Sequence, residues 1–144
     1  MQAYLDCFSG ISGDMLLGAL IDLGWSLENL QGVVNRLDLG NVTVTADRVE
    51  KQGISATWVQ VNAPHEHVHR HRDDLVNIIT KAQLSSQLEE RAIEVVDALA
   101  LAESKVHNIP VEEIHFHEVG AVDTIVDIVG AVVGLHELGI VEIH

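Results

Sequence analysis

The first part of the chain alternates between two periodicities. Residues 2–8 alternate as in a strand and place Cys7 on its apolar face. A turn rich in glycine and serine follows, and then apolar residues recur every three to four positions, which predicts a helix that Ser12 caps and Gly24 ends. The pattern therefore predicts a strand, a glycine-rich turn and a helix, in that order.

The next segments predict a short helix and a hairpin. Ser26 precedes a helical pattern over about 27–37. Two segments rich in β-branched residues, 42–45 and 57–61, flank a turn at 51–53. An antiparallel β-hairpin fits this arrangement best.

The second half is predominantly helical. Residues 65–71 have no apolar face and predict an exposed loop. Asp73 is suited to cap one helix, and Ser86-x-x-Glu89 has the form of a capping box at the start of a longer one. The core stripe predicted for this longer helix consists of Leu88, Ala92, Val95, Val96, Leu99, Ala102 and Val106.

Asn108 and Pro110 end the long helix. A strongly apolar helix over about 122–138 and a strand over 140–144 complete the pattern. We therefore predict an α+β fold, in which a small mixed sheet packs on several helices beside a β-hairpin and an exposed His-rich loop. Because no repeat or linker is evident, we expect two subregions, about 1–64 and 72–144, joined by the loop 65–71, and not two independent domains.

The composition narrows the class of protein. The 144 residues are 47% hydrophobic, which is enough for a packed core. Eight Lys and Arg against 22 Asp and Glu give a net charge of −14, which repels nucleic acid and anionic lipid and attracts cations. The most apolar segment, 125–135, is shorter than the roughly 17 residues of a membrane span.

The single cysteine and the absence of a signal-peptide pattern at the N-terminus predict a cytoplasmic protein. We expect Cys7 to be a small buried apolar residue in preference to a thiolate ligand. The Met and Trp residues indicate ordinary packing.

Histidine is unusually frequent, with nine residues in the chain. His65, His67, His69 and His71 are spaced by two, so in an extended backbone neighbouring imidazoles project from one side about 6.5 to 7 Å apart. Adjacent pairs would be able to share a nickel, zinc or copper ion. The alternative is a polar surface loop that binds metal only incidentally.

A second histidine pair lies in the segment His115-Phe-His-Glu118. If this segment is extended, Phe116 points into the core while His115 and His117 share the opposite face, and Glu118 follows. Two imidazoles and a carboxylate suit a divalent transition metal. The alternative is a strand edge whose histidines hydrogen-bond to the backbone.

Asp123 and Asp127 are four residues apart on the apolar helix and therefore share a face. The same stripe continues through Gly130 and Gly134. A buried carboxylate needs a cation, a hydrogen-bond donor or a water-filled cleft. Helix capping accounts for Asp123 but not for Asp127, so the stripe predicts a functional cleft.

The turn before the first helix contains Ser9, Gly10, Ser12 and Gly13. Such a turn is able to present backbone N–H groups to an anion. It lacks the Walker lysine and the dinucleotide-binding spacing, so a tight turn with a capped helix is an equally good interpretation. Asp6 and Asp14 flank the turn and add two carboxylates.

Three segments together carry a family resemblance: residues 6–15 (DCFSGISGDM), the histidine run 65–71, and residues 113–130 (EIHFHEVGAVDTIVDIVG). They resemble the LarC family of nickel-insertion proteins, over the whole length of the chain. The resemblance implies a cytoplasmic nickel chelatase, a lyase that places nickel into pyridinium-3,5-bisthiocarboxylic acid mononucleotide. The product is the nickel-pincer cofactor of lactate racemase and related enzymes.

The resemblance also implies CTP with Mg or Mn as a requirement, associated with a carboxyl-terminal region. Because the family's proteins are longer, we expect this chain to be their amino-terminal region, with the carboxyl-terminal part and the dithiocarboxylate mononucleotide as partners. A homo-oligomer is compatible with the sequence, which leaves the oligomeric state open.

The motif matches and the side-chain chemistry together give a set of expected site residues. Catalytic roles are expected for Asp6, Asp14, Glu118, Asp123 and Asp127. Cofactor binding is expected at Ser9, Gly10, Ser12 and Gly13. Metal binding is expected at His65, His67, His69, His71, His115 and His117.

Two other functions fit the same residues. A passive nickel-binding and delivery module would hold nickel through the loop histidines alone, and Asp123 and Asp127 would not matter. A metal-dependent hydrolase of a phosphorylated substrate would need Mg²⁺ and no nickel. No basic residue adjoins the stripe of Asp123 and Asp127 to hold a phosphate, which argues against the hydrolase.

Overall fold

The computed structural model of the chain describes residues 1–64, 70–116 and 122–144. Within these ranges there are five helices: α1 (Gly13–Asp22), α2 (Leu27–Arg36), α3 (Arg72–Lys81), α4 (Ser86–His107) and α5 (Val122–Glu137). The strands are β1 (Gln2–Ala3), β2 (Thr43–Lys51), β3 (Ile54–Asn62), β4 (Arg70–His71), β5 (His115–Phe116) and β6 (Glu142–Ile143). The predicted α+β class is confirmed.

The described strands form three separate pairs and not one sheet. β1 and β6 are parallel, β2 and β3 are antiparallel, and β4 and β5 are antiparallel. The predicted strand over 2–8 is shorter than expected, because its partner β6 is only two residues long. A hydrogen bond of 2.8 Å from the Leu5 amide to the His144 carbonyl extends the pairing slightly.

After β1 the chain runs over the surface, and Cys7 is exposed. The prediction that Cys7 is buried was therefore wrong. Strand alternation buries a side chain only where a neighbouring element covers that face. On one face of this segment Tyr4 and Phe8 are 78% and 90% exposed, and on the other Leu5 is 37% exposed, so neither face is covered.

The hairpin of β2 and β3 is confirmed. Gln52 and Gly53 at its two-residue turn have φ angles of 54° and 79°, the positive values of a turn that matches the twist of the strands. The register pairs Val44 with Val61, and the buried side chains of Val44 and Val59 face the core.

α1 lies close against this hairpin. A Cβ atom on Gly18 would be 2.1 Å from the Thr57 carbonyl oxygen, so only glycine permits this approach. At the end of α1, Asp22 accepts hydrogen bonds from the Thr57 amide (3.2 Å) and the Thr57 hydroxyl (2.7 Å) and pairs with Arg48. The Thr57 hydroxyl is the main cause of the lowered pKa of Asp22.

The predicted helix starts were correct for α1, α2 and α5 and displaced by one or two residues for α3 and α4. Ser26 caps α2, accepting from the Asn29 amide at 3.1 Å. The residue that caps α3 is His71 and not Asp73. The Asp74 carboxylate accepts a hydrogen bond from the His71 amide at 2.8 Å, so the helix begins two residues earlier than the predicted cap implies.

α4 begins after Ser85, so the predicted capping box at Ser86 was wrong. Its Glu89 carboxylate accepts instead from the Thr80 hydroxyl of α3, at 3.0 Å. The core stripe was also too wide. The buried residues of α4 follow steps of four alone, whereas Val95, Ala102 and Val106 are exposed. The buried set is Leu88, Ala92, Val96 and Ala100.

α5 has the predicted extent and packs against α1, α2, α4 and β3. Its two glycines allow this close packing. A Cβ atom on Gly130 would lie 2.9 Å from a methyl group of Leu17, and one on Gly134 would lie 2.9 Å from the Trp25 ring. In the described part of the chain, no helix is long and apolar enough to cross a membrane.

Candidate metal site at the start of α1 and α5

The candidate site lies where the first turn of α1 meets α5. A Cβ atom on Gly13 would be 2.2 Å from a carboxylate oxygen of Asp127. The absent side chain of Gly13 therefore provides the space that the Asp127 carboxylate occupies. The glycine-rich turn and the aspartate stripe, which are far apart in sequence, belong to one site.

Asp127 is electrostatically unusual. Its Oδ1 atom is buried and finds no hydrogen-bond partner among the residues that the structure describes. Burial, and to a lesser extent the negative charges of Asp123 and Asp14, raise the pKa of Asp127 from 3.8 to about 7. Near neutral pH this carboxylate is therefore ready to take up either a proton or a metal cation.

The two neighbouring carboxylates are more accessible. Asp14 is half-buried in the first turn of α1 and accepts a hydrogen bond from the Ser12 hydroxyl. Ser12 is at the predicted N-cap position, but its side chain does not bond to the helix backbone. Asp123 is exposed, and its Oδ1 accepts from the Thr124 amide at 2.9 Å.

The two histidine segments meet through a strand pair that the sequence did not predict. In the antiparallel register of β4 and β5, His71 is opposite His115, and Arg70 is opposite Phe116. The His71 Nδ1 atom is 3.1 Å from the Ile114 carbonyl oxygen, to which it donates in the Nδ1-protonated tautomer. In that tautomer Nε2 carries the lone pair that a metal requires.

Phe116 is 1% exposed, as the alternation of that segment predicted. The remaining histidine predictions, His65, His67, His69 and His117, lie outside the described residues together with Glu118. Among the residues that are described, no three His, Cys, Asp or Glu side chains form a group able to hold a metal ion. The predicted roles of these residues stay predictions.

The predicted tight turn before α1 is present. The Gly10 amide donates to the Cys7 carbonyl at 3.0 Å, and Gly10 has a φ of 84°. Asp6 and Ser9 are exposed in the same segment. Because the carboxylates of Asp14 and Asp127 lie beside the helix N-terminus, this environment favours a cation over a phosphate.

A pocket of about 490 Å³, which the sequence did not predict, lies beside the site. The hairpin pocket, as we name it, lies between α1 and the turn end of the hairpin. Met15 and Trp58, which line it, are 60% and 46% exposed, so interpreting them as ordinary packing was wrong. Trp25, by contrast, is 3% exposed and does pack in the core. The missed signal was an apolar outer face on a hairpin.

The structure thus defines an acidic α+β protein in which Asp127 lies near Asp14 and Asp123, at the starts of α1 and α5. A family profile described as nickel insertion protein matches residues 3–144. The chain belongs to the nickel insertion protein family.

Relatives from several bacteria carry the same description. A pyridinium-3,5-bisthiocarboxylic acid mononucleotide nickel insertion protein of Desulfitobacterium hafniense is 53% identical over 138 residues, which cover 96% of this chain and 34% of the relative. Proteins of the same name from Geobacillus kaustophilus and Staphylococcus saprophyticus are 44% and 40% identical, covering 95% and 97% of the chain and 36% of each relative. The chain therefore spans about a third of the length of these relatives. No solved structure matches it.

Proposed function

We propose that this chain is the nickel-handling region of a nickel insertion protein. Its side chains bind Ni²⁺ and deliver it to the thiocarboxylate groups of a pyridinium mononucleotide, the substrate named for the relatives. The observation that carries the proposal is the buried Asp127 oxygen, which has no partner in the described structure and lies beside Asp14 and Asp123. A cation at this position offsets the cost of burying the charge.

The direction of transfer follows from the preferences of the ligands. Carboxylate oxygen and imidazole nitrogen bind Ni²⁺ as harder donors, whereas thiocarboxylate sulfur is soft. Nickel held by Asp127 and the histidines therefore moves to the sulfur ligands once the mononucleotide is beside it. Exchange of ligands needs no oxidation or reduction.

The raised pKa of Asp127 suits this exchange. Deprotonated Asp127 binds the metal, and when the nickel departs the carboxylate takes up a proton, which removes the uncompensated charge. The Ile114 carbonyl oxygen, 3.1 Å from Nδ1, holds the His71 ring beside β5. We assign the capture of nickel to His65, His67, His69 and His71, and its transfer to His115, His117, Glu118 and the aspartates.

The proposal extends to the rest of the protein. The described residues at the start of α1 do not fit a nucleoside triphosphate, because Asp14 and Asp127 would repel its phosphates. We therefore assign CTP, with Mg or Mn, to the part of the family's proteins that this chain does not match. The same proposal includes the two subregions, about 1–64 and 72–144, and a cytoplasmic location, and it is compatible with a homo-oligomer.

The test is nickel binding and transfer measured on one set of variants. Calorimetric titration with Ni²⁺ compares wild type, the fourfold loop His→Ala variant (His65, His67, His69 and His71) and His115→Ala/His117→Ala. His107→Ala is the matched control, since this exposed histidine pairs with Glu103 at the end of α4. Transfer is followed by the absorbance of the nickel–thiocarboxylate product after mononucleotide, CTP and Mg or Mn are added to the full-length protein that carries the same substitutions.

We expect nickel transfer to fail in His115→Ala/His117→Ala and to be retained in the control. Loss of all nickel affinity in the loop variant, with normal behaviour of the other variants, would identify a passive delivery module instead. Turnover of a phosphate ester with Mg²⁺ and without nickel would identify a hydrolase. If no variant and no wild-type protein binds nickel above the buffer background, the proposed function is wrong.

A further inference from the structure

The outer face of the hairpin is apolar near its turn. Val44 and Val59 face the core, so the strand alternation turns Val49, Ala56 and Trp58 to the other side. The outer face of a two-stranded antiparallel pair is ordinarily polar. Here Trp58 is 46% exposed and Ile54 is 73% exposed. Neighbouring exposed apolar side chains of this kind are typical of a surface that binds a ligand or another protein.

The first turn of α1 converts this face into the hairpin pocket. Asp14 and Met15 form one wall, and the opposite wall consists of Val49, Lys51, Ile54, Ala56, Thr57 and Trp58. The volume of about 490 Å³ is in the range of sites for small organic ligands. The pocket is mainly apolar, and its lining contains one acidic and one basic side chain.

These two charges restrict the ligand. An indole ring attracts a cation placed over its face, and the thioether of Met15 is a good neighbour for an aromatic ring. The Asp14 carboxylate favours positive charge at its end of the pocket, and the Lys51 ammonium favours negative charge. A planar aromatic cation that carries a phosphate has the complementary arrangement.

The pocket also adjoins the metal site. Asp14 lines the pocket and lies close enough to Asp127 to raise its pKa. Gly13, the preceding residue, contacts the Asp127 carboxylate directly. A ring bound in the pocket would therefore present its substituents beside the carboxylates that handle the metal, where a bound metal cation offsets the repulsion between these carboxylates and anionic substituents.

We propose that the hairpin pocket binds the pyridinium mononucleotide, with its ring against Trp58 and Met15 and its phosphate at Lys51. This inference rests on the proposed function, in which the same mononucleotide receives nickel. Trp58 and Lys51 are then the residues that determine specificity for a phosphorylated substrate with a pyridinium ring.

The experiment is a calorimetric titration of the intact 144-residue chain with pyridinium-3,5-bisthiocarboxylic acid mononucleotide, and with its phosphate-free riboside. We expect Trp58→Leu to weaken binding of both ligands about tenfold or more, the range found for base–aromatic stacking. We expect Lys51→Gln to weaken binding of the mononucleotide about fivefold, as for an exposed ion pair, and to leave the riboside unaffected. Lys105→Gln, in the last turn of α4, is the control and binds as wild type.

The inference is overturned if wild type does not bind the mononucleotide, or if Trp58→Leu and Lys51→Gln both bind it as wild type does. Because Trp58 is half-exposed, Trp58→Leu is expected to fold, which circular dichroism and thermal unfolding verify. Nickel titration of the same proteins separates the two proposals. Nickel binding without mononucleotide binding refutes the pocket alone, whereas absent nickel binding refutes the proposed function.

Discussion

Replacing Asp127 with asparagine should stabilise the protein at neutral and alkaline pH. In the folded chain the pKa of Asp127 is raised to about 7, mainly by burial, so its ionised form is disfavoured. In the unfolded chain the carboxyl group ionises near 3.8. Between these two values the folded state binds more protons than the unfolded state, and stability therefore falls as the pH rises. Asparagine has nearly the shape of the neutral acid and removes this cost.

The difference between 3.8 and about 7 corresponds to at most about 4 kcal/mol, at 1.36 kcal/mol per pKa unit. Asp127 is only partly buried, so solvent and ions screen part of the cost. We therefore expect Asp127→Asn to raise the free energy of unfolding by about 2 kcal/mol at pH 8. The effect should shrink towards zero as the pH falls to 4.

The measurement is urea unfolding of metal-free wild type and Asp127→Asn at pH 4, 6 and 8. Glu94→Gln is the matched control, because this carboxylate is exposed on α4 and does not contribute to the raised pKa of Asp127. We expect the control to change stability by less than about 0.5 kcal/mol at any pH. Equal stability of wild type and Asp127→Asn at pH 8, or a difference that does not vary with pH, would refute the electrostatic account of Asp127.

Three further predictions concern packing, an anchoring carboxylate and nickel. Gly18→Ala should destabilise the fold by about 3 kcal/mol or more in thermal unfolding, because its Cβ atom would overlap the Thr57 carbonyl. Gly32→Ala in α2, with open space around it, should stabilise the fold by about 0.5–1 kcal/mol. Equal effects would contradict the close packing of α1. Asp22→Asn should lower the free energy of unfolding in urea by about 1 kcal/mol at pH 7 and by progressively less below pH 4, because protonation of Asp22 removes the same interaction in wild type. A loss of stability that stays constant with pH would contradict this role of the Asp22 carboxylate. Nickel affinity measured by calorimetry should fall as the pH is lowered from 8 to 6, because protons compete for Asp127 and the histidines; an affinity that is independent of pH would count against both ligand types.

The sequence predicts most helices because their signals are local. Ser26 begins α2, Gly24 follows α1, and Asn108 with a φ of 53° ends α4. The hairpin turn at Gln52 and Gly53 was predicted for the same reason. The predictions were wrong for residues whose burial depends on contacts with other parts of the chain. Cys7 is exposed because β1 ends at Ala3, so the residues that follow are not paired in a sheet that could pack on the core.

The site was predictable only in part. The stripe from Asp123 to Gly134 indicated a special face of α5, and the structure gives the reason: its glycines admit α1 and Trp25. The contact of Gly13 with Asp127 is a property of tertiary packing that neither segment encodes alone. The same holds for the pairing of His71 with His115, since two-residue strands carry almost no periodic signal.

The most direct test of the central claim is nickel titration of wild type and Asp127→Asn at pH 7.5, with His107→Ala as the control. We predict that wild type and the control bind Ni²⁺ with the same affinity. Asp127→Asn, although more stable, should bind Ni²⁺ at least about tenfold more weakly, because changes to metal ligands or to the residues that orient them have effects of this size. Equal nickel affinity in wild type and Asp127→Asn would contradict the assignment of the buried carboxylate to nickel.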